Sequence, residues 1–213
     1  MFDFRRLAPK HIGRVKLVLF VLALLPFVRL VVGAFTNQLG SNPLELITRS
    51  TGTWTLVFLC LTLCITPLRR LAKAPWLAQL RRMLGLFAFF YVVCHFTAFI
   101  WFDHFFDLTA VWEDVVKRPF ITIGFAAFLL LLPLALTSTN GMVRRLGSTR
   151  WQALHRAVYL IAILGVVHYW WLVKRDITQP TIYGCIVALL LGLRWHHRRN
   201  AAASTVASAD TPP

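Results

Sequence analysis

Residues 152–173 read QALHRAVYLIAILGVVHYWWLV, a stretch long and apolar enough to cross a lipid bilayer as one helix. A membrane-spanning helix needs about 20 mostly apolar residues, and the only formally charged side chain in this stretch is Arg156. Two histidines, His155 and His168, lie toward its ends. Titratable side chains inside a membrane helix are costly, so each of them indicates a function to be explained.

Five further apolar runs surround this stretch in the sequence. They cover residues 15–35, 51–68, 83–102, 119–137 and 178–195. Hydrophobic residues make up 58% of the 213-residue chain and charged residues only 15%, against about 45–50% and about 25% in a typical soluble domain. These figures exclude a water-soluble globule and a disordered chain. They predict an all-α bundle of six transmembrane helices.

The basic residues are distributed unequally between the two sets of loops. The chain has 23 Lys and Arg against 8 Asp and Glu, and 16 basic residues flank the spans on the side of the termini, against 5 on the other side. Because positively charged loops stay in the cytoplasm, we expect both termini to be cytoplasmic. The charge follows the membrane boundaries, so we do not expect nucleic acid as a partner. We expect a basic N-terminus over 1–14, a transmembrane domain over 15–198 and a disordered tail over 199–213.

Histidines dominate the ionisable residues of the predicted spans. The full set is Arg29, His95, His155, Arg156 and His168. No Asp or Glu lies in a span, which disfavours a proton-coupled transporter. His95 and His168 fall at similar depth in the third and fifth spans, which run in the same direction. Since neutral imidazole is a good haem ligand, we expect a bis-histidine haem between these helices, which makes the transmembrane domain a haem domain.

His155 suggests a second redox centre near the cytoplasmic leaflet. It precedes His168 by 13 residues, or about 20 Å along an ideal helix. At about 100° per residue the two rings point roughly 140° apart, so a second haem on the same face needs a bend, for which Gly165 is a candidate. The matching position of the third span holds Arg81 or Arg82 instead of a histidine. The sequence therefore leaves one or two haems open, with His155 the third candidate iron ligand.

Other polar residues near the spans have two interpretations each. Arg156 either extends to the cytoplasmic surface or pairs with a haem propionate, since guanidinium binds carboxylates well. His104 is expected to be solvent-exposed, or to line a site for a quinone or a partner. The segment 103–114, DHFFDLTAVWED, either lies on the outer surface or docks a partner. The chain has no nucleotide-binding or nucleophile-elbow motif, so the electron donor must come from elsewhere, and a membrane quinol is the obvious candidate.

Four segments carry a resemblance to a known family. They are RRMLGLFAFFYVVCHF (81–96), STNGMVRRLGSTRWQALHRAVYLIAILGVVHYWW (138–171), LLPF (24–27) and ITPLRRLA (65–72). Together they closely resemble the MsrQ family, formerly called YedZ, which is related to ferric-reductase-type transmembrane domains. The most specific patterns are L-G-L…H in the third span and L-H-R-x-V-Y…H-Y-x-W in the fifth.

The resemblance implies a definite function. Members of the family are haem-binding subunits of the bacterial inner membrane that take electrons from the quinone pool through b-type haem. They pass the electrons to a periplasmic molybdopterin methionine sulfoxide reductase, which repairs oxidised periplasmic proteins. His95, His155 and His168 match the haem histidines of the family. The resemblance also implies FMN, for which the residues show no definite site, although three arginines within 144–150 could hold a phosphate.

The leading hypothesis is therefore an electron-transfer subunit with no catalytic residue of its own, since the partner would reduce the sulfoxide. A stand-alone ferric or cytochrome reductase of the same fold would carry the same haem without a periplasmic enzyme. From a different class, a haem-free membrane scaffold or transporter would use the histidines only for hydrogen bonds between helices.

Overall fold

The computed structural model describes residues 8–173 and 175–209, and these residues contain helices and connecting turns but no strand. The α-helices are α1 (Pro9–Phe35), α2 (Pro43–Leu71), α3 (Arg81–Ala98), α4 (Leu108–Lys117), α5 (Pro119–Leu136), α6 (Asn140–Leu146), α7 (Ser148–His155), α8 (Val158–Leu172) and α9 (Thr178–Ala209). A 3₁₀ segment, Pro75–Leu80, precedes α3, and a π-helical segment, Phe99–Asp103, continues it. The prediction of an all-α chain is confirmed for the described residues.

Five helical stretches are long and apolar enough to cross a membrane. They are Pro9–Phe35, Pro43–Leu71, Pro75–Asp103, Pro119–Leu136 and Ser148–Leu172. They coincide with the first five predicted runs, so the chain is a multi-pass membrane protein. The sixth predicted run falls in α9, whose apolar part, residues 182–193, is short and has polar residues on both sides. The count of six spans, the cytoplasmic termini and the domain boundaries stay predictions.

Helix α9 extends past the predicted sixth run and ends at Ala209. The predicted tail, residues 199–213, thus begins inside this helix. Residues 201–203 are alanines, which have the highest helix propensity of all residues, so the helix has a local reason to continue. Residues 1–7 and 210–213 lie outside the described residues, and with them most of the predicted N-terminal segment and the end of the tail.

Local sequence signals set where several helices begin. Proline occupies the first turn of α1, α2 and α5, where its missing N–H costs no hydrogen bond. The Asn42 side chain caps α2 by accepting from the Glu45 amide. Asp107 caps α4 by accepting from the amides of Thr109 and Ala110. Each such cap contributes about 1 kcal/mol, so both helices begin at a defined residue.

A buried tyrosine joins α3 to α1 at a proline. Pro26 lies inside α1, where it interrupts the helical hydrogen-bond pattern. The Tyr91 hydroxyl accepts from the Phe27 amide at 3.2 Å and donates to the Ala23 carbonyl at 2.7 Å. It therefore bridges two groups that would pair directly in a regular helix. The Tyr91 side chain is completely buried and stacks on Phe58 of α2, with ring centres 5.4 Å apart.

The fifth predicted run is not one continuous α-helix. Helix α7 ends at His155 and α8 begins at Val158. The amides of Arg156 and Ala157 bond to carbonyls three residues back, which is the tighter 3₁₀ pattern. The break in this run therefore lies at 156–157 and not at Gly165, the residue that the sequence offers as a candidate for a bend. Gly165 is inside α8, and a Cβ there would lie 3.0 Å from Leu56, so this glycine allows close packing between α8 and α2.

The connection from α3 to α5 is compact and strained. After the π-helical segment, Phe105 and Phe106 adopt positive φ angles of 47° and 65°, which bulky residues rarely do. The chain then enters α4, which buries Val111 and Val115 against the bundle and exposes Leu108, Trp112 and Val116. An exposed apolar stripe with a tryptophan is typical of helices at the membrane surface. Of the two interpretations of segment 103–114, this stripe favours the surface location.

Candidate functional site

The structure brings His95 of α3 and His168 of α8 together. Their ring centres lie 6.2 Å apart, and the ring planes are nearly perpendicular, at 78°. The two helices run in the same direction, as the sequence predicts, and the two histidines lie at the same depth in the bundle. His155 does not join them, because it lies near the other end of the bundle.

A backbone carbonyl from a neighbouring helix orients each of the two rings. His95 Nδ1 lies 2.9 Å from the Thr48 carbonyl of α2, and His168 Nδ1 lies 2.6 Å from the Phe120 carbonyl of α5. Because a carbonyl can only accept, Nδ1 of each ring carries the proton. The Nε2 atom of each neutral ring therefore keeps its lone pair for a metal ion.

Two glycines make room for the imidazoles. A Cβ on Gly52 of α2 would lie 3.1 Å from His95 Nδ1, and a Cβ on Gly124 of α5 would lie 2.7 Å from His168 Nδ1. Gly52 follows Thr48 by one helical turn, and Gly124 follows Phe120 by the same interval. Side chains in a helix lean toward its N-terminus, so a Cβ at either glycine would cover the carbonyl to which the histidine bonds.

Both histidines line a large cavity, which we call the histidine cavity. It has a volume of about 710 Å³, within the range of about 300–1,000 Å³ that is usual for cofactor and ligand sites. Its walls are mainly apolar and aromatic, with Leu56, Phe96 and Phe125 among them. The charged and titratable residues that line it, other than the two histidines, are Arg49, Asp103, His104, Asp114, Arg118 and Tyr169.

The donor set fits the iron of a haem. A metal–nitrogen bond is about 2.0 Å long, and the nitrogen lies roughly 1.1 Å from the centre of its ring. Two imidazoles that bind one metal from opposite sides therefore have ring centres roughly 6 Å apart. The observed separation of the His95 and His168 rings is 6.2 Å. In the described part of the chain no cluster of three or more His, Cys, Asp or Glu could hold a metal ion. A metal held by His95 and His168 would therefore take its remaining ligands from another group, as the iron of a haem does from its porphyrin.

His104 is not solvent-exposed, contrary to the first of the two interpretations of this residue. Its side chain is only 11% exposed, and Nε2 lies 3.3 Å from an Asp114 carboxylate oxygen. The other Asp114 oxygen lies 3.2 Å from Arg118 Nε, and the His104 ring packs edge-on against Phe99. His104, Asp114 and Arg118 therefore form one charged group beside the histidine cavity.

His155 lines a second cavity, which we call the arginine cavity. Its volume is about 400 Å³. His155 Nε2 lies 3.1 Å from the Thr137 hydroxyl, and its ring stacks on Trp151 with centres 3.8 Å apart. Five arginines line this cavity: Arg69, Arg70, Arg81, Arg156 and Arg194.

One of these arginines, Arg194, departs from what the sequence suggests. Arg194 resembles a simple basic flank, but it is half-buried and donates to the Leu63 carbonyl at 2.8 Å and to the Thr66 hydroxyl at 3.0 Å. Its partners lie some 130 residues away, so no local pattern indicates the contact. Arg156 lines the arginine cavity and does not line the histidine cavity.

Comparisons with known proteins identify the family to which the chain belongs. The family described as "Ferric reductase like transmembrane component" matches residues 51–166. A protein of Herminiimonas arsenicoxydans, named "Protein-methionine-sulfoxide reductase heme-binding subunit MsrQ", is 61% identical over 206 residues, which cover 93% of this chain and 94% of the relative. This chain belongs to the MsrQ family. The resemblance seen in the sequence is thereby confirmed.

Other MsrQ proteins match over most of their length. One from Ralstonia nicotianae is 52% identical over 209 residues, covering 97% of this chain and 96% of the relative. One from Rhodospirillum rubrum is 51% identical over 184 residues, covering 86% and 88%. In this MsrQ chain the region of the ferric-reductase-like family contains Gly52, His95, Gly124 and His155, and it ends two residues before His168.

Proposed function

We propose that this chain is the haem-binding membrane subunit of a methionine sulfoxide reductase system and that it carries electrons through one haem b held by His95 and His168. The observation that carries the proposal is the pair of imidazoles, whose centres lie 6.2 Å apart across a cavity of about 710 Å³. The names of the relatives, which describe heme-binding subunits of such a system, support it.

The bound haem would supply one-electron redox chemistry, and the residues of the chain would hold and orient it. His95 and His168 would bind the iron through Nε2, while the carbonyls of Thr48 and Phe120 fix the ring orientation and strengthen the ligands. Arg49 and Arg118 are the arginines that line the histidine cavity, and they would pair with the haem carboxylates. This assignment replaces Arg156, which lines the arginine cavity instead.

His155 is not proposed as an iron ligand. Its Nε2 atom faces the Thr137 hydroxyl, and its ring is stacked on Trp151. The only other histidine that lines the arginine cavity, among the described residues, is His197, which is exposed. The proposal therefore contains one haem per chain, although the sequence leaves one or two open.

The electron path extends beyond the chain on both sides. We propose a membrane quinol as the donor, since the sequence has no motif for a soluble nucleotide cofactor. A periplasmic molybdopterin methionine sulfoxide reductase would be the acceptor, and it would perform the sulfoxide reduction itself.

The basic flanks support an inner-membrane location with both termini in the cytoplasm. FMN, which the family resemblance implies, is kept as a proposed second cofactor. Co-purification with a molybdenum protein would distinguish this subunit from a stand-alone ferric or cytochrome reductase.

Visible spectroscopy of the detergent-purified protein tests the haem assignment. We expect a reduced spectrum with sharp α and β bands and one haem per chain. His95→Ala and His168→Ala should each abolish this absorbance while the protein still inserts into the membrane. His155→Ala is the matched control and should keep the haem. A colourless wild-type protein from haem-replete cells, or a full haem content in both of the first two variants, would refute the proposal.

A further inference from the structure

Within the part of the chain that the structure describes, three histidines line the histidine cavity, and His104 differs from the other two. His95 and His168 each have Nδ1 within hydrogen-bond distance of a backbone carbonyl. The Nε2 atom of His104 is buried and has no hydrogen-bond partner. It lies 3.3 Å from an Asp114 carboxylate oxygen, which is ion-pair distance, but without the geometry of a hydrogen bond. Because nearly all buried polar atoms have a partner, this ring nitrogen requires an explanation.

The charges around His104 balance one another while its ring is neutral. Asp114 lies between His104 and Arg118, whose Nε is 3.2 Å from the second carboxylate oxygen. The side chains of His104 and Asp114 are only 11% and 19% exposed, so salt screens their interaction less than that of surface charges. Among the described residues, two arginines and two carboxylates line the cavity. The charged and titratable groups that line it beside His104 are Arg49 on α2, His95 on α3, Asp103 on the π-helical segment, Asp114 on α4, Arg118 between α4 and α5, and His168 and Tyr169 on α8.

A change in the charge of a bound iron would disturb this balance. Reduction removes one positive charge from a cavity with mainly apolar walls, where charges interact more strongly than in water. Arg49 and Arg118 are permanently charged and cannot compensate for this loss. Imidazole can, because the ordinary charge change of a histidine falls between about pH 5 and 8. The Asp114 carboxylate would stabilise the imidazolium of His104, since a nearby opposite charge favours the charged form.

We propose that His104 takes up one proton when the iron of the bound haem is reduced and returns it when the iron is oxidised. The inference rests on the proposed haem between His95 and His168. The electron comes from the proposed quinol donor and converts ferric to ferrous iron. The proton comes from the aqueous phase and forms an N–H bond on the His104 ring, which becomes an imidazolium beside Asp114. When the electron leaves for the acceptor, this N–H bond breaks and the proton returns to water.

The position of His104 gives the proton a short path. His104 immediately follows the π-helical segment, outside the membrane-spanning stretch Pro75–Asp103. The next residue, Phe105, is 83% exposed, while the His104 ring packs edge-on against Phe99 with ring centres 4.7 Å apart. His104 therefore lines the cavity and is also adjacent in the chain to the protein surface. A proton from water can reach it without crossing the bilayer, and the haem becomes easier to reduce as the pH falls.

A spectroelectrochemical titration of the haem in the detergent-purified, full-length protein tests the inference. We expect the midpoint potential to fall with rising pH between about pH 5 and 8. The limit for one proton per electron is about 59 mV for each tenfold change in proton concentration. His104→Gln should make the potential nearly independent of pH in this range. Asp114→Asn should move the pH dependence to lower pH, because the imidazolium loses its carboxylate.

Glu113→Gln is the matched control for Asp114→Asn. Glu113 is the neighbouring carboxylate of α4, but it is exposed, pairs with Lys117 at 2.7 Å and does not line the cavity. This variant should titrate like the wild type. If His104→Gln bound too little haem for a titration, Asp114→Asn would still decide, since it keeps the shape of the side chain and changes only its charge.

The outcomes separate this inference from the haem assignment. A wild-type potential that does not vary with pH would overturn the proton site and leave the haem in place. An unchanged pH dependence in His104→Gln would overturn it too, because the proton would then bind elsewhere, for example on a haem carboxylate. The same titration curve in Asp114→Asn and the wild type would remove Asp114 from the site and overturn the inference in this form. A protein without haem would refute both the inference and the proposed function.

Discussion

Replacing Gly124 with alanine should displace His168 and thereby remove the haem. A Cβ at this position would lie 2.7 Å from His168 Nδ1, 2.8 Å from Cε1 and 3.1 Å from Cγ. An ordinary contact begins near 3.4 Å, so the ring and helix α5 must separate by about 0.7 Å. The His168 ring cannot move away from α5 without losing a hydrogen bond, because its Nδ1 is bonded to the Phe120 carbonyl of that helix.

The size of this displacement sets the expected effect. Metal–ligand distances tolerate changes of only about 0.2 Å, and the loss of groups that orient a ligating histidine typically weakens metal binding by about 10–100-fold. We therefore expect Gly124→Ala to lower haem affinity by at least about tenfold. Gly52→Ala should have a smaller effect, because its Cβ would lie 3.1 Å from the His95 ring.

The measurement is the ratio of haem to protein after purification in detergent, together with the reduced spectrum. Gly85→Ala is the matched control, because this glycine also lies in a membrane helix, α3, and its nearest neighbour would be 3.9 Å away. The expected order of haem content is wild type and Gly85→Ala, then Gly52→Ala, then Gly124→Ala. Full haem content with an unchanged spectrum in Gly124→Ala would refute the geometry on which the site is built.

Two further predictions concern stability and pH. Tyr91→Phe removes the hydroxyl that bridges Phe27 and Ala23, so two buried polar groups lose a partner. We expect the free energy of unfolding to fall by about 1–3 kcal/mol, measured as a lower midpoint of thermal unfolding in detergent. An unchanged midpoint would contradict the bridge. The pKa of Asp176 is held below its ordinary value by the hydroxyl and the amide of Thr178. The contribution of this contact to stability is therefore present above the ordinary carboxylate pKa and is lost as the pH falls through the lowered pKa. An NMR titration should show this pKa rising toward the ordinary value in Thr178→Val, and an identical titration in both proteins would exclude the contact.

The helices and the depth of the two histidines could be predicted from the sequence, because both depend on simple periodicities. Apolar runs of membrane length give helices, and a rise of about 1.5 Å per residue gives the depth of a side chain. The glycine signal was also present, since Gly52 and Gly124 interrupt apolar runs without an obvious local reason. The sequence does not show what these two glycines do, because the groups that orient the rings are backbone carbonyls, which no side-chain pattern reveals.

Features that depend on contacts distant in sequence could not be predicted. The break at 156–157 has no Gly or Pro to signal it. His104 is largely shielded from solvent because Asp114 of α4, the helix that follows the strained turn at Phe105 and Phe106, lies against it. Arg194 is held by groups of α2 that lie some 130 residues earlier in the chain, and the sequence shows it only as one of many basic flanks.

The carbonyls that orient the histidines also bear on how the protein is assembled. Each imidazole takes its orientation from a helix other than its own, so α2 must be in register with α3, and α5 with α8, before the two rings face each other. Haem capture would then occur late in biogenesis, after four separately inserted helices have docked. Only a correctly packed bundle would bind haem. Apoprotein whose helices have not docked would then be the form that membrane proteases degrade.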